Sequence, residues 1–252
     1  MFIRLASRCF DDWLSIFRNS KRTKGFISTV FITGTNRGIG LALAREYLKS
    51  GWTVYATHRE TSDSSKLRSL KGDLKRFVLD VTDLPGTQKL AQKLKDVPLD
   101  VVIASAGVMH PIHGIETLDT EGWLNLLKVN TIGCAITAHC FLPNLLAGKQ
   151  KKLVAITSRM GSIDDNTSGG YIPYRSSKAA LNMTWKSIAV DLKPKRVIAT
   201  VFHPGWVKTD MGGPNAEITT DVSVKGLTRH ISKLAIKDSG KFYSYQGELI
   251  PW

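Results

Sequence analysis

The sequence has few cysteines and no long apolar run. Its 252 residues contain three cysteines, an odd number, and these lack the spacing of metal ligands. Cys134 and Cys140 lie in an apolar helical run, where buried thiols are favoured over a disulfide, which indicates a reducing compartment. The histidines are scattered, and only His110 and His113 loosely approach metal-ligand spacing. We therefore predict no metal site.

Acidic residues are scarce beside basic ones. The chain has 21 Asp and Glu against 35 Lys and Arg, a formal net charge of +14. A basic surface is compatible with a nucleic-acid partner. Here, however, the positive charges are spread along the chain without the interleaved aromatic side chains of a nucleic-acid platform. We expect no nucleic-acid partner, and interpret the charge as a solvated surface that attracts an anionic cofactor.

Linkers, internal repeats and low-complexity stretches are absent as well, and the length suits one α/β domain with a substantial core. Residues 1–25 form a basic extension ahead of that domain, which spans 26–252. The extension is too short and too charged to span a bilayer, and charges interrupt the apolar run that a secretory signal needs. We therefore expect no stable membrane insertion.

The arginine-rich composition of this extension fits a mitochondrial transit peptide in part, but the adjacent Asp11 and Asp12 count against that interpretation. An extra helix packed on the domain, or a loose tail, is at least as compatible with the pattern. We predict a cytoplasmic protein, with the mitochondrion as the alternative.

A glycine-rich turn, Thr33-Gly-Thr-Asn-Arg-Gly-Ile-Gly40, follows the apolar, β-branched segment 26–32. The segment 39–48 after it has helical spacing of apolar residues, so the glycines lie between a buried strand and a helix. Without Cβ atoms, the backbone amides of such a turn can approach a pyrophosphate at the positive end of the helix. The spacing is G-x-x-x-G-x-G, and the turn with its two flanks predicts a nucleotide site.

Strand and helix patterns alternate along the rest of the chain. This alternation predicts a single α/β domain with a doubly wound parallel sheet of Rossmann type. After the first strand at 26–32, strands are predicted at 53–57, 76–79, 99–104, 152–157 and 196–202, and helices notably at 86–95, 119–147 and 175–192.

Tyr174 and Lys178 lie four residues apart and therefore share one face of a predicted helix. A phenol has an ordinary pKa of about 10, and a nearby ammonium group lowers it toward working pH. A pair poised for proton transfer, downstream of a nucleotide-binding turn, indicates redox chemistry on a carbonyl or an alcohol.

The chain resembles the short-chain dehydrogenase/reductase family over about residues 27–252. The residues that match in order and at similar spacing are Thr33–Gly40, Ala106-Gly107, Asn130, Ser158, Tyr174, Lys178 and Pro204-Gly205. The segments 158–163, 174–182, 203–211 and 247–252 resemble the C-factor and sniffer branch of its carbonyl reductases. Where the family usually carries Asn-Asn-Ala-Gly, this chain has Ala104-Ser-Ala-Gly107.

The resemblance implies a role for each of four residues. Tyr174 would donate a proton to the substrate carbonyl, and Ser158 would orient and polarise that carbonyl. Lys178 would lower the pKa of Tyr174 and bind the nicotinamide ribose. Asn130 would hold a water that connects Lys178 to solvent. The alternatives are that Ser158 caps a turn and that Asn130 satisfies buried backbone groups.

The resemblance also implies a set of cofactor-binding residues, and the sequence favours NADPH over NADH, which stays an alternative. The second strand ends at His58 and Arg59 where NAD enzymes place a carboxylate, and Arg37 can join Arg59 around a 2′-phosphate. The predicted cofactor residues are Gly34, Asn36, Arg37, Gly38, Ile39, Gly40, Arg59, Asp80, Val81, Ala106, Gly107, Asn130, Tyr174, Lys178, Pro204, Gly205, Val207 and Thr209.

The implied substrate is a small carbonyl compound, which the segment 206–222 would close over. Trp206, Met109 and Met211 suggest an apolar ketone or quinone. The Ser158-to-Tyr174 gap lacks the large insertion of the family's monomeric carbonyl reductases, so a homodimer or homotetramer is expected. A nucleotide-binding sensor of C-factor type, with little catalysis, is the alternative function. A nucleotide-sugar epimerase fits less well, because those relatives usually carry a G-x-x-G-x-x-G turn.

Overall fold

The computed structural model describes residues 27–109 and 115–252. The predicted extension at 1–25 lies outside the described residues, so the domain boundary stays a prediction. His110 and His113 lie outside them too. Among the helices of the described ranges, none is both long and apolar enough to cross a membrane.

A parallel sheet of seven strands forms the centre of the described part of the chain. The strand order is β3-β2-β1-β4-β5-β6-β7, and it reverses direction at the junction of β1 and β4. This order confirms the predicted doubly wound, Rossmann-type sheet. The strands are β1 Thr29–Ile32, β2 Thr53–His58, β3 Leu74–Val78, β4 Val101–Ala104, β5 Lys152–Ile156, β6 Ile198–His203 and β7 Phe242–Ser244.

Helices cover both faces of the sheet. Within the described residues they are α1 Gly38–Lys49, α2 Ser65–Arg68, α3 Leu84–Lys93, α4 Thr120–Leu127, α5 Gly133–Cys140, α6 Leu142–Ala147, α7 Ile172–Asp191 and α8 Thr220–Lys233. Short 3₁₀ turns span Arg159–Gly161, Lys193–Lys195 and Ile236–Asp238.

The long helix predicted at 119–147 is interrupted in two places. A π-helical turn, Lys128–Ile132, joins α4 to α5, and Phe141 separates α5 from α6. Pro143 lies in the first turn of α6, where its missing N–H costs little, but it could not continue an uninterrupted helix. The π-helical turn contains Asn130, and such turns often occur at functional sites.

Two apolar layers hold these helices to the sheet. Successive strand residues point to opposite faces, so Val30 and Ile32 pack in one layer with α1 and α8, while Phe31 packs in the other. In that second layer the rings of Phe31 and Phe141 lie 4.0 Å apart, and Trp185 of α7 is 1% exposed. The two layers fix α1 and α7 on opposite faces of the sheet, with their site residues at its carboxyl edge.

Candidate active site

The glycine turn between β1 and α1 needs glycine for both conformation and space. Gly34 and Gly38 have φ angles of +71° and +57°, which favour glycine. A Cβ on Gly34 would lie 2.8 Å from the Cα of Ala106 in the loop after β4. The first turn of α1 carries no acidic residue, and Arg37 before it makes no side-chain capping bond. The turn therefore offers a close backbone approach at the positive end of a helix, which fits a pyrophosphate.

A cavity of about 1020 Å³ extends from this turn along the carboxyl ends of the strands. It is lined by Ser158 and by every predicted cofactor residue except Asn130. Because this volume lies at the upper end of what small-molecule sites usually enclose, the cavity can hold a dinucleotide together with a small substrate. The lining residues thus fit the cofactor that the sequence predicts.

Tyr174 and Ser158 both line this cavity. Both are 8% exposed, and the Ser158 side chain acts on the phenol, whose pKa it lowers. Ser158 Oγ also accepts a hydrogen bond from the Met160 backbone N–H at 3.2 Å. The Ser158 hydroxyl hydrogen is therefore free to be donated toward the phenol or toward a substrate oxygen.

Asn182, a residue of α7 that the sequence analysis did not single out, fixes the segment around Ser158. Its Oδ1 accepts a hydrogen bond from the Thr157 hydroxyl at 2.7 Å, and its Nδ2 donates to the Gly161 oxygen at 3.0 Å. The turn also packs closely on α7, since a Cβ on Gly161 would lie 2.7 Å from the Cβ of Lys178. Ser158 is thereby held in register with the helix that carries Tyr174.

Burial dominates the electrostatics of the pair on α7. Burial raises the pKa of Tyr174 to about 12, and the hydrogen bond with Ser158 acts in the opposite direction. Burial lowers the pKa of Lys178, which the nearby Cys134 thiol partly opposes. The Lys178 Nζ lies 5.9 Å from the centroid of the Tyr174 ring. In this geometry Ser158 is the group that lowers the phenol pKa, and the part assigned to Lys178 stays a prediction.

Asn130 uses its side chain to brace the loop after β4. Its Oδ1 accepts from the Val108 N–H at 2.8 Å, and its Nδ2 donates to the Val108 oxygen at 2.9 Å and to Ser177 Oγ at 3.0 Å. Thr33 Oγ1 supports the same loop by accepting from the N–H groups of Ser105 and Ala106. These bonds match the alternative role, satisfaction of buried backbone groups. The predicted water at Asn130 stays a prediction.

Two arginines from the glycine turn and the end of β2 belong to the cavity wall. Arg37 and Arg59 both line it, as the 2′-phosphate hypothesis requires. Arg37, however, forms an ion pair with Asp210, with Nη1 and Oδ2 2.7 Å apart. Asp80 after β3 accepts from the Thr82 N–H and hydroxyl at 2.9 and 2.7 Å, which orders the loop on that side.

Sequence reasoning missed several residues of the cavity wall. His203 ends β6 beside Ser158, and its buried Nδ1 has no hydrogen-bond partner. Burial and the charge of Arg159 lower the pKa of His203 to about 4, and Asp165 opposes them. Arg159 Nη1 lies 3.5 Å from Asp165 Oδ2, and both residues line the cavity. The position of His203, directly before Pro204-Gly205, was the one local signal that could have identified it.

Comparison with known proteins identifies a family. A family model described as "short chain dehydrogenase" matches residues 28–219. Among curated relatives, C-signal of Myxococcus xanthus is 41% identical over 155 residues, which cover 62% of this chain and 93% of that protein. The 1-hydroxy-2-glutathionyl-2-methyl-3-butene dehydrogenase of Rhodococcus sp. (strain AD45) is 34% identical over 232 residues, 90% of this chain and 100% of that protein.

Solved structures agree with this assignment. The carbonyl reductase Sniffer of D. melanogaster superposes with a TM-score of 0.84 at 32% identity, covering 90% of this chain and 100% of that one. An NADPH-bound carbonyl reductase from chicken fatty liver gives a TM-score of 0.82 at 31% identity, covering 90% and 99%. The resemblance that the sequence motifs predict is confirmed.

Proposed function

This chain belongs to the short-chain dehydrogenase family, and from that premise we propose that it reduces a ketone, aldehyde or quinone to an alcohol with NADPH. The observation that carries the proposal is that Tyr174, Ser158 and the glycine turn line one and the same cavity. A proton donor and a nucleotide cradle in one cavity are what hydride transfer to a carbonyl requires.

Tyr174 acts as the general acid in this mechanism. When bound along the glycine turn, NADPH would supply the hydride for the carbonyl carbon. The Tyr174 hydroxyl gives its proton to the carbonyl oxygen, and the Ser158 hydroxyl donates a hydrogen bond to the same oxygen. Because burial raises the pKa of Tyr174 to about 12, the phenol holds its proton at neutral pH. A protonated phenol is the form that a general acid in carbonyl reduction needs.

Lys178 holds the cofactor and returns a proton to Tyr174. It lies one helical turn beyond Tyr174 and lines the cavity. A Cβ on Gly107 would lie 3.6 Å from the Lys178 Nζ and 3.3 Å from Asn130 Oδ1. The glycine therefore leaves space beside both groups, which supports Lys178 contact with the nicotinamide ribose and a proton path past Asn130.

NADPH is the proposed cofactor, and NADH is the weaker alternative. Arg59 follows the end of β2, at the place where a carboxylate would repel a 2′-phosphate. Guanidinium groups bind phosphate through paired, charge-assisted hydrogen bonds. The similar carbonyl reductase from chicken fatty liver binds NADPH, which also supports NADPH as the cofactor proposed here.

The proposed substrate is a small apolar carbonyl compound. Trp206 and Met211 line the cavity while staying 49% and 45% exposed, so their apolar surface is available to a ligand. The Trp206 indole is held in place because its Nε1 donates to the Gly212 oxygen at 2.8 Å. Met109 lines the same cavity. These side chains favour an aromatic ketone or a quinone.

We also propose a homodimer or homotetramer, with contacts through α4, α5 and α7. Large apolar side chains are exposed on or beside these helices: Leu124, Ile132, Met183 and Val190 are 47 to 66% exposed. Burying such residues against a second copy would remove apolar surface from water.

We propose a cytoplasmic location, and the mitochondrion remains the alternative. The free thiols of Cys134 and Cys140 suit a reducing compartment.

A sensor with little catalysis is the second candidate, favoured by the similarity to C-signal. The experiment that separates the two is NADPH oxidation, followed with a panel of quinones, diketones and aldehydes. We expect turnover with at least one class. Tight NADPH binding without turnover of any class would favour the sensor instead.

A further inference from the structure

Residues 206–218, here called the closing loop, have their two ends joined to each other by backbone hydrogen bonds. The Lys208 N–H donates to the Ile218 oxygen at 2.8 Å, and the Ile218 N–H donates to the Trp206 oxygen at 3.1 Å. The Trp206 indole adds a third tie, to the Gly212 oxygen. Because its ends are joined and its interior is braced, the loop is one ordered unit at the mouth of the cavity.

The closing loop contacts the glycine turn at two neighbouring points. Asp210 pairs with Arg37 at 2.7 Å, although the two residues are 173 positions apart in the chain. Beside this pair, a Cβ on Gly38 would lie 3.5 Å from the Thr209 Cγ2. All four residues line the cavity, so the loop reaches across it to the start of α1.

We propose that Asp210 is a positioning residue, which holds the closing loop over the cofactor cleft through Arg37 and thereby slows release of the dinucleotide. This inference rests on the proposed function, because it places a pyrophosphate at the positive end of α1. The Arg37–Asp210 bridge joins the two walls of the cleft at that point. A dinucleotide leaves only after the bridge and the loop have opened.

The solvent exposure of the Arg37–Asp210 bridge limits how much the bridge can slow cofactor release. The side chains of Arg37 and Asp210 are 61% and 72% exposed, so water and salt screen their attraction. Exposed ion pairs contribute modestly, at most about a fivefold factor in an equilibrium or a rate. The bridge therefore retains the cofactor without preventing its exchange between turnovers.

A competing role for Asp210 predicts the opposite effect of its removal on NADPH binding. If the carboxylate merely withholds Arg37 from the 2′-phosphate, its removal frees the guanidinium and tightens NADPH binding. That effect is confined to NADPH, since NADH has no 2′-phosphate. The bridge, by contrast, closes over the pyrophosphate that both cofactors share, so its loss speeds the release of both.

The test is stopped-flow release of NADPH and NADH, followed by nicotinamide fluorescence, from the wild type and from Asp210→Asn. We expect release of both cofactors to become two- to fivefold faster in Asp210→Asn, and Asp210→Glu to restore most of the slow release. Added salt should speed NADH release from the wild type but not from Asp210→Asn. Asp221→Asn is the matched control, because Asp221 forms a looser exposed pair with Arg45, at 4.0 Å.

Two results would overturn the inference while leaving the proposed function intact. They are unchanged release from Asp210→Asn, and slower release of NADPH alone. A wild-type protein that binds neither dinucleotide would instead refute the proposed function, and the inference with it.

Discussion

Lys178 donates a hydrogen bond from its ammonium nitrogen to the backbone oxygen of Ile156, the last residue of β5, at 3.0 Å. Lys178 is 4% exposed, so this bond gives its buried ammonium group a hydrogen-bond partner within the protein. It also ties α7 to the end of the strand that leads to Ser158. The lysine thus has a structural role beside the cofactor role proposed for it.

Replacing Lys178 by Met should lower both turnover and the affinity for NADPH, because the residue is proposed to serve both. It also leaves the Ile156 oxygen without its donor, which costs about 1–3 kcal/mol of stability. Lys186→Met is the control: Lys186 lies on the same helix and donates to the Gly240 oxygen at 3.0 Å. Denaturation and steady-state kinetics of both variants separate the roles, and equal losses of turnover would contradict the assignment.

Gly161→Ala should lower kcat/KM by about tenfold or more, with a smaller effect on NADPH binding. The added Cβ would meet Lys178 at 2.7 Å, so the turn and α7 must move apart and misalign Ser158 with Tyr174. Small displacements of catalytic groups can cost about a hundredfold in rate. Gly51→Ala serves as the control for strain away from the site: a Cβ there meets nothing within 4 Å, while the φ of +78° makes the substitution cost stability, so it should leave kcat/KM unchanged. Similar kinetics in the two variants would argue against close packing as the device that positions Ser158.

His203 should make the fold less stable in mild acid. Its pKa is lowered from the ordinary 6.5 to about 4 in the folded protein, so between these values the unfolded chain binds more protons. Stability is then fully present above about pH 7, falls as the pH drops toward 4, and loses roughly 3 kcal/mol. Urea unfolding at pH 7.5 and 5 should show a smaller pH difference in His203→Gln than in the wild type. His139→Gln, at an exposed position of α5, is the matched control.

Arg59→Asp should erase or reverse the preference for NADPH. The wild type is expected to prefer NADPH over NADH by about tenfold or more, because charge-assisted hydrogen bonds contribute roughly 1.5–3 kcal/mol each. The variant should lose NADPH affinity while its turnover with NADH changes little. Arg76→Asp, on the exposed edge strand β3, makes the same change of charge outside the cavity and should keep the preference. Equal use of NADPH and NADH by the wild type would refute the proposed 2′-phosphate pocket at Arg59.

Local patterns in the sequence were sufficient to predict most of the fold. β4 and β5 are buried at every residue, and each is a continuous apolar or nearly apolar run that identifies a parallel strand. β7 was missed because it has only three residues, Phe242–Ser244, and is defined by pairing with β6 rather than by a pattern of its own. The interruption at Phe141 is hard to see in the sequence because the apolar periodicity continues across it, and Pro143 is its local signal.

The candidate site also has some parts that local sequence patterns reveal and others that form only when the chain folds. The glycine turn and the Tyr174–Lys178 spacing are local, so the sequence displays them directly. The Arg37–Asp210 pair and the surroundings of His203 depend on residues brought together from different strands. Residue spacing along the chain does not predict such contacts, because the order of the strands in the sheet decides which loops meet.

The most direct test of the proposed chemistry is kcat/KM for NADPH-dependent carbonyl reduction by Tyr174→Phe. Only the phenol oxygen is lost, so folding and NADPH binding should persist while turnover falls about 10²- to 10⁴-fold, the usual contribution of general acid catalysis. Tyr243→Phe is the matched control, because that phenol donates to Asp238 at 2.9 Å and does not line the cavity. A loss of less than tenfold in Tyr174→Phe, with NADPH still bound, would contradict the account.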